Sequence, residues 1–149
     1  MNILLVVDLQ REFYEPSGNY ERILNFVKTT KDYDKIIATR CRNSYDSPFY
    51  RYHNWFDCLN GVQPLDFNPD KIIEKVTYGL PNYNVLSKKN HYDVIGYNTD
   101  ACVLKVAMDL FDKGYDFNVL TKYCYSSTGE AQHRSGIKLL RHLMSDAIK

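Results

Sequence analysis

The chain opens on a continuous apolar run, Asn2 to Asp8 (NILLVVD), in which polar and apolar positions do not alternate. A strand with one wet face alternates, so an unbroken run of Leu, Val and Ile marks a strand buried on both faces, near the centre of a parallel sheet. The period then changes. From Tyr20 to Thr29, the residues Ile23, Leu24, Phe26 and Val27 fall at helix spacing, and Asp34 to Thr39 (DKIIAT) reads as a second short strand, which completes a βαβ unit. Lys71 to Lys75 (KIIEK), His91 to Tyr97 (HYDVIGY) and Tyr115 to Thr121 (YDFNVLT) read as three more strands, with amphipathic helices over Ala101 to Lys113 and Gly129 to Ala147. Strands alternating with helices predict a three-layer α/β/α fold, Rossmann-like, with right-handed crossovers and a mostly parallel sheet of five or six strands. At 149 residues, one domain spanning 1–149 accommodates it.

One stretch breaks the alternation. Arg40 to Pro69 is polar, aromatic and irregular, with a short helix expected over Pro48 to Phe56. A long connection inside a compact domain is more often functional than idle, so this segment is a candidate cover for a substrate site.

Charge and cysteine content narrow the function classes. Nineteen Lys and Arg nearly balance eighteen Asp and Glu, and no basic stripe forms, which argues against a nucleic-acid partner. The opening apolar run is far short of the roughly 20 residues of a membrane span and carries no small-residue cleavage site, so no membrane partner and a cytoplasmic location are expected. Cys41, Cys58, Cys102 and Cys124 show no C-x-x-C spacing, against both a zinc knuckle and a disulfide scaffold. The four histidines show neither H-E-x-x-H nor D-x-H-x-H spacing, and no bound metal is expected. Neither G-x-G-x-x-G nor G-x-x-x-x-G-K-[ST] occurs, which disfavours a nucleotide cofactor; no cofactor is expected at all.

In open parallel sheets ligands bind beyond the carboxyl ends of the strands, where Asp8, Lys75 and Thr99 to Cys102 lie. Asp8 ends an apolar strand, where a carboxylate is either a turn-former or the partner of a cation or donor. Cys102 follows Thr99 and Asp100, either of which is a good N-cap; a cysteine in the first turn of a helix is either a small buried hydrophobe or a thiolate whose pKa the helix terminus lowers. Lys75 reads either as a solvated strand-end lysine or as the charge that steadies a thiolate.

Three segments, NILLVVDLQREF, IIEKVTYG and VIGYNTDACVLKVAMDLFDKGYDFNVLTKYCYSS, together resemble in order and spacing the isochorismatase-like, nicotinamidase-related cysteine hydrolases. The resemblance implies Cys102 as nucleophile, Asp8 as general base and Lys75 as the orienting cation. It also implies a cis peptide at Tyr97-Asn98 and an oxyanion hole from the backbone N–H groups of Asn98 and Cys102. Phe13 matches the family's aromatic pocket wall; Trp55, Phe56 and Tyr97 are the further candidates for binding substrate, and Trp55 and Phe56 read equally well as core aromatics.

The chain departs from nicotinamidases after Ala38-Thr39-Arg40, where CRNSYDSPFYRYHNW stands in place of their metal-binding D-x-H-x-H, and Lys122 occupies a position where the family usually has an aspartate. If the Lys75 strand is the sheet's outer edge, two strands from Asp8, the lysine must cross about 10 Å with help from the chain after it. The expected activity is amidase-type cleavage of a C–N bond in a small carboxamide, since enol-ether hydrolysis needs no thiol nucleophile. The expected partner is a small-molecule substrate, with a homo-oligomer left open. Two other classes stand beside this: a catalytically inactive small-molecule-binding or regulatory member of the same fold, and a redox-sensing thiol, which the lack of a resolving cysteine nearby in sequence disfavours.

Overall fold

A computed structural model describes all 149 residues. Five strands form one parallel sheet: β1 (Asn2–Val7), β2 (Lys35–Cys41), β3 (Lys71–Lys75), β4 (His91–Tyr97) and β5 (Asp116–Tyr125), in the spatial order β3-β2-β1-β4-β5. The gapless apolar strand is central, as its pattern requires. Its side chains divide between two cores: Ile3, Leu5 and Val7 pack with α3 (Leu104–Asp112) and α4 (Glu130–Met144), while Leu4 and Val6 pack with α1 (Asn19–Thr29). These are the three layers.

Several element boundaries differ from the sequence reading: β2 runs on to Cys41 rather than ending at Thr39, and the helix expected from Ala101 begins at Leu104 after a π-type turn. The short helix α2 (Pro48–His53) stops before Phe56 because Asn54 turns into the left-handed region at φ +52°. Strand β5 runs on to Tyr125 rather than ending at Thr121, with a register shift where Val94 pairs Val119 but Gly96 pairs Cys124. Beyond α4 the chain closes with a single 3-10 turn, and Ile148 makes one parallel bridge to Val119 rather than a sixth strand. No helix is long and apolar enough to cross a membrane.

Two glycines let backbones meet where the strands end. Gly96, at φ +118°, lies so close to β1 that a Cβ there would stand 2.0 Å from the Val7 carbonyl oxygen. Gly136 presses α4 onto the Thr99–Asp100 backbone, where a Cβ would stand 2.6 Å from the Asp100 nitrogen. Both contacts flank the carboxyl end of β4.

Candidate active site

Asp8 follows the last residue of β1 and adopts φ +48°, a region that Asp enters more readily than most residues. Its carboxylate is wholly buried. Thr39, two residues before the end of β2, receives the Asp8 backbone N–H at 3.0 Å and donates its hydroxyl to Asp8 Oδ1 at 2.5 Å. Gln10, equally buried, clamps the next strand end by accepting from the Cys41 N–H at 2.7 Å and donating to the Cys41 carbonyl at 3.0 Å. This explains the D-x-Q spacing: one residue bears the charge and the other ties β2 beside it.

Strand β3 is the sheet edge, two strands from β1, so Lys75 must cross the end of β2. It does: Nζ lies 2.7 Å from Asp8 Oδ2, with both side chains fully buried, and donates to Cys102 Sγ at 3.2 Å. A third donation, to the Thr77 carbonyl at 3.0 Å, comes from the chain just after the strand and holds the ammonium in place. Burial is the largest influence and would lower the lysine pKa, but the charge of Asp8, the nearby Cys102 and Cys41 sulfurs and the hydrogen bond to Asp8 together outweigh it and raise the pKa.

Cys102 sits in a π-type turn, Thr99–Val103, that leads into α3. The peptide bond Tyr97–Asn98 is cis. Neither Thr99 nor Asp100 caps the helix: Asn98 holds the cap position without a side-chain cap bond. The two expected caps are engaged elsewhere, Thr99 Oγ1 2.8 Å from His133 Nδ1 and Asp100 Oδ1 accepting from Ser126 Oγ at 2.6 Å, while Asn98 Oδ1 accepts from the Ser127 N–H at 2.6 Å. Among the hydrogen bonds of turns and loops none uses the Asn98 N–H as donor.

The expected low thiol pKa is corrected by this setting. Burial, and then the nearby Asp8 charge, push the Cys102 thiol up to about 12, against the smaller downward pull of Lys75. At neutral pH the sulfur rests as a thiol, and its reaction as a nucleophile requires a proton acceptor at the moment of attack.

Cys102 opens onto a cavity of about 650 Å³. Phe13 and Trp55 line it, stacked with ring centroids 6.0 Å apart, and Phe49 and Tyr78 extend the aromatic wall through edge contacts at 5.3 Å (Phe49 to Trp55) and 4.9 Å (Phe49 to Tyr78). Asn98, Ser127, Thr128 and Gln132 give it a polar side. Two expected lining residues are elsewhere. Phe56 is exposed and packs edge-on to Tyr50 of α2 instead of following Trp55 into the cavity; Tyr97 is fully buried beneath the site, its hydroxyl donating to Glu15 Oε1 at 3.1 Å.

The sequence reading missed Phe49, Tyr78 and Cys41. Pro48 at the start of α2, capped by Ser47, and the YG that follows Lys75 were the available signals for the aromatics. Cys41 carried none, yet its register pairing with Lys75 sets it against the same cavity as Cys102. His53 also lines the cavity, but no three His, Cys, Asp or Glu side chains come together as a ligand set, so the residues present do not fit the metal centre of nicotinamidases.

The model of the Isochorismatase domain family matches residues 2–149. Among curated proteins, Isochorismatase family protein 1B of Dictyostelium discoideum is 26% identical over 125 residues, covering 79% of this chain; the chain thus spans about 60% of that protein's length. Among solved structures, the pyrazinamidase/nicotinamidase of Streptococcus mutans superposes with a TM-score of 0.75 at 17% identity, covering 100% of both chains. An isochorismatase-like hydrolase of Alkaliphilus metalliredigens gives 0.74 at 16% identity, covering 95% of this chain and 91% of its own. At such identities the structural likeness establishes the fold.

Proposed function

The chain belongs to the isochorismatase family, and on that premise we propose that it is a cysteine hydrolase of the amidase type, cleaving the C–N bond of a small carboxamide through an acyl-enzyme on Cys102. The observation that carries this reading is one ammonium, Lys75 Nζ, held between a buried carboxylate at 2.7 Å and a thiol at 3.2 Å, with the thiol lining an open aromatic cavity.

The chemistry follows from the resting protonation. As Sγ attacks the carbonyl carbon, Asp8 takes the thiol proton; Lys75 remains charged and offsets the negative charge that gathers around it. The oxyanion is received by the backbone N–H groups of Asn98 and Cys102. Collapse breaks the C–N bond while Asp8 returns the proton to the departing nitrogen, leaving a thioester. Water then adds to the thioester carbonyl, Asp8 accepts its proton, the C–S bond breaks, and the sulfur regains the proton. The products are an acid and ammonia or an amine.

The aromatic side formed by Phe13, Trp55, Phe49 and Tyr78 suits a flat or apolar group next to the amide. Nicotinamidases are among the structural relatives, but this chain lacks a ligand set for their metal, so the screen extends to small carboxamides in general. Turnover of such a panel by the wild type, together with its loss in a folded Cys102→Ala protein, tests the proposal; undiminished turnover by that variant would reject it.

A second reading, a binding module of the same fold that does not turn over, draws on the burial that keeps the Cys102 thiol protonated, with its pKa pushed up to about 12. It predicts saturable binding of a small amide, seen by calorimetry, without release of ammonia or amine.

A further inference from the structure

His133 projects from the first turn of α4 onto the turn that bears Cys102. Its Nδ1 is 2.8 Å from Thr99 Oγ1, and Thr99 is fully buried three residues before the nucleophile. The imidazole rests against the Tyr125 ring at 4.9 Å between centroids. One turn further along α4, Gly136 allows the helix backbone to touch Thr99 and Asp100 directly. The connection from β5 to α4 adds the bonds from Ser126 to Asp100 and from Ser127 to Asn98. The nucleophile turn, which has no side-chain cap of its own, is therefore gripped from one side by a single segment, and His133 is the group in that grip whose hydrogen-bonding role changes near neutral pH.

We propose that His133 is a positioning residue: as a neutral imidazole it accepts the Thr99 hydroxyl and thereby fixes the Thr99–Val103 turn, and with it Cys102 Sγ and the Asn98 and Cys102 N–H groups. This rests on the hydrolase reading for its activity readout, but the contact itself does not.

When His133 is protonated, Nδ1 becomes a donor, and the hydrogen of the fully buried Thr99 hydroxyl loses its acceptor. Burial holds the imidazole pKa below its ordinary value. The charged groups that face it are Glu130 and Arg134 on α4, Arg22 on α1 and Asp100 on the nucleophile turn; Glu130 and Asp100 pull upward and Arg22 and Arg134 downward. The neutral form thus prevails through the neutral range, and on the acid side of pH 6.5 the bond reverses and leaves the Thr99 hydroxyl hydrogen unpaired.

The experiment is a pH profile of kcat/KM from pH 4.5 to 8 for the wild type, His133→Asn and His133→Phe. Asparagine keeps an acceptor at the Nδ1 position but cannot titrate near neutrality; phenylalanine keeps the ring against Tyr125 and removes the acceptor. Expected is an acid limb in the wild type below pH 6.5, a near-wild-type plateau without that limb in His133→Asn, and a plateau lowered roughly tenfold in a folded His133→Phe, the cost of one buried unpaired donor. An unchanged acid limb in His133→Asn would overturn the proposal, as would equal plateaus for all three proteins. The same pH series is read independently as the rate of Cys102 alkylation by iodoacetamide. If no carboxamide is turned over yet the alkylation profile still depends on His133, the hydrolase reading fails and the positioning role stands; if neither rate responds to His133, the positioning role fails.

Discussion

The two ends of the same sheet carry two clusters of titratable groups, and they differ mainly in their access to water. At the carboxyl end, Asp8 and Lys75 are fully buried, and the carboxylate shares the Lys75 ammonium with the Cys102 thiol. At the amino end, His91 Nε2 lies 3.1 Å from Asp93 Oδ1 and its Nδ1 3.0 Å from Asp116 Oδ2, with Asn118 and Tyr33 also bonded to Asp93; the Asp116 side chain is 74% exposed. The partners are similar in kind and distance. Burial makes the difference: without solvent the first cluster must neutralise itself, so its charges hold one another and the thiol in fixed positions, whereas water screens the second and leaves it a modest brace between β4 and β5.

The sharpest way to break this contrast is to remove the carboxylate at the buried end. Asp8→Asn keeps the shape but takes away the proton acceptor that a protonated thiol requires, and turnover of a small carboxamide should fall by roughly 10²- to 10⁴-fold, as measured by steady-state ammonia or amine release. Lys75→Met keeps most of the side-chain volume and leaves Asp8 without its cation; urea denaturation should register a loss of about 3 to 5 kcal/mol, the usual consequence of breaking one partner out of a buried pair. Gly136→Ala tests the neighbouring backbone contact. Its Cβ cannot coexist with the Asp100 nitrogen at 2.6 Å, so a loss of about 1 to 3 kcal/mol is expected, accompanied by lower kcat because the Thr99–Val103 turn is what moves.

The amino-terminal cluster should give the smallest effect. Burial alone would lower the His91 pKa, but its hydrogen bonds to Asp116 and Asp93 outweigh that and raise it. A histidine raised in the folded state adds stability that is complete below its unfolded value of about 6.5 and is lost as pH rises through the folded value. The difference in thermal stability between the wild type and Asp116→Asn, in which the His133 contribution cancels, should therefore be slightly larger below about pH 6.5 than above it. A pH effect at this end as large as the loss in Lys75→Met would erase the distinction between the two clusters.

How far the site could be read from sequence follows the same division. The strands and their order along the chain were legible because burial on both faces removes polar positions, as in NILLVV, and because Asp8, Lys75 and Cys102 each end or follow a strand. The crossing of β2 by Lys75 was legible only as a condition, that β3 be the edge and the chain after it assist, and β3 is the edge; which group assists, the Thr77 carbonyl that receives the ammonium, was not. Nor was the resting state of Cys102: a helix start suggests a thiolate, but the dominant influence is desolvation among residues far apart in sequence. Lining residues from the 40–69 segment were the least legible. Trp55, which faces the cavity, and Phe56, which faces water, are neighbours that both follow the left-handed turn at Asn54, and Asn43 fixes the chain there by donating to the Trp55 and Asp57 carbonyls.

The most direct test of the central claim is to expose the protein to 4-nitrophenyl acetate, quench within seconds and locate the acetyl group by peptide mass spectrometry. If exposure governed reactivity, Cys58, the least buried of the four thiols, would be labelled first. If Asp8 and Lys75 activate Cys102, the acetyl group should appear there ahead of Cys58 despite its burial, and Asp8→Asn should abolish that lead. Labelling of Cys58 ahead of Cys102, or an undiminished lead in Asp8→Asn, would contradict the claim that Asp8, Lys75 and Cys102 act as one catalytic group.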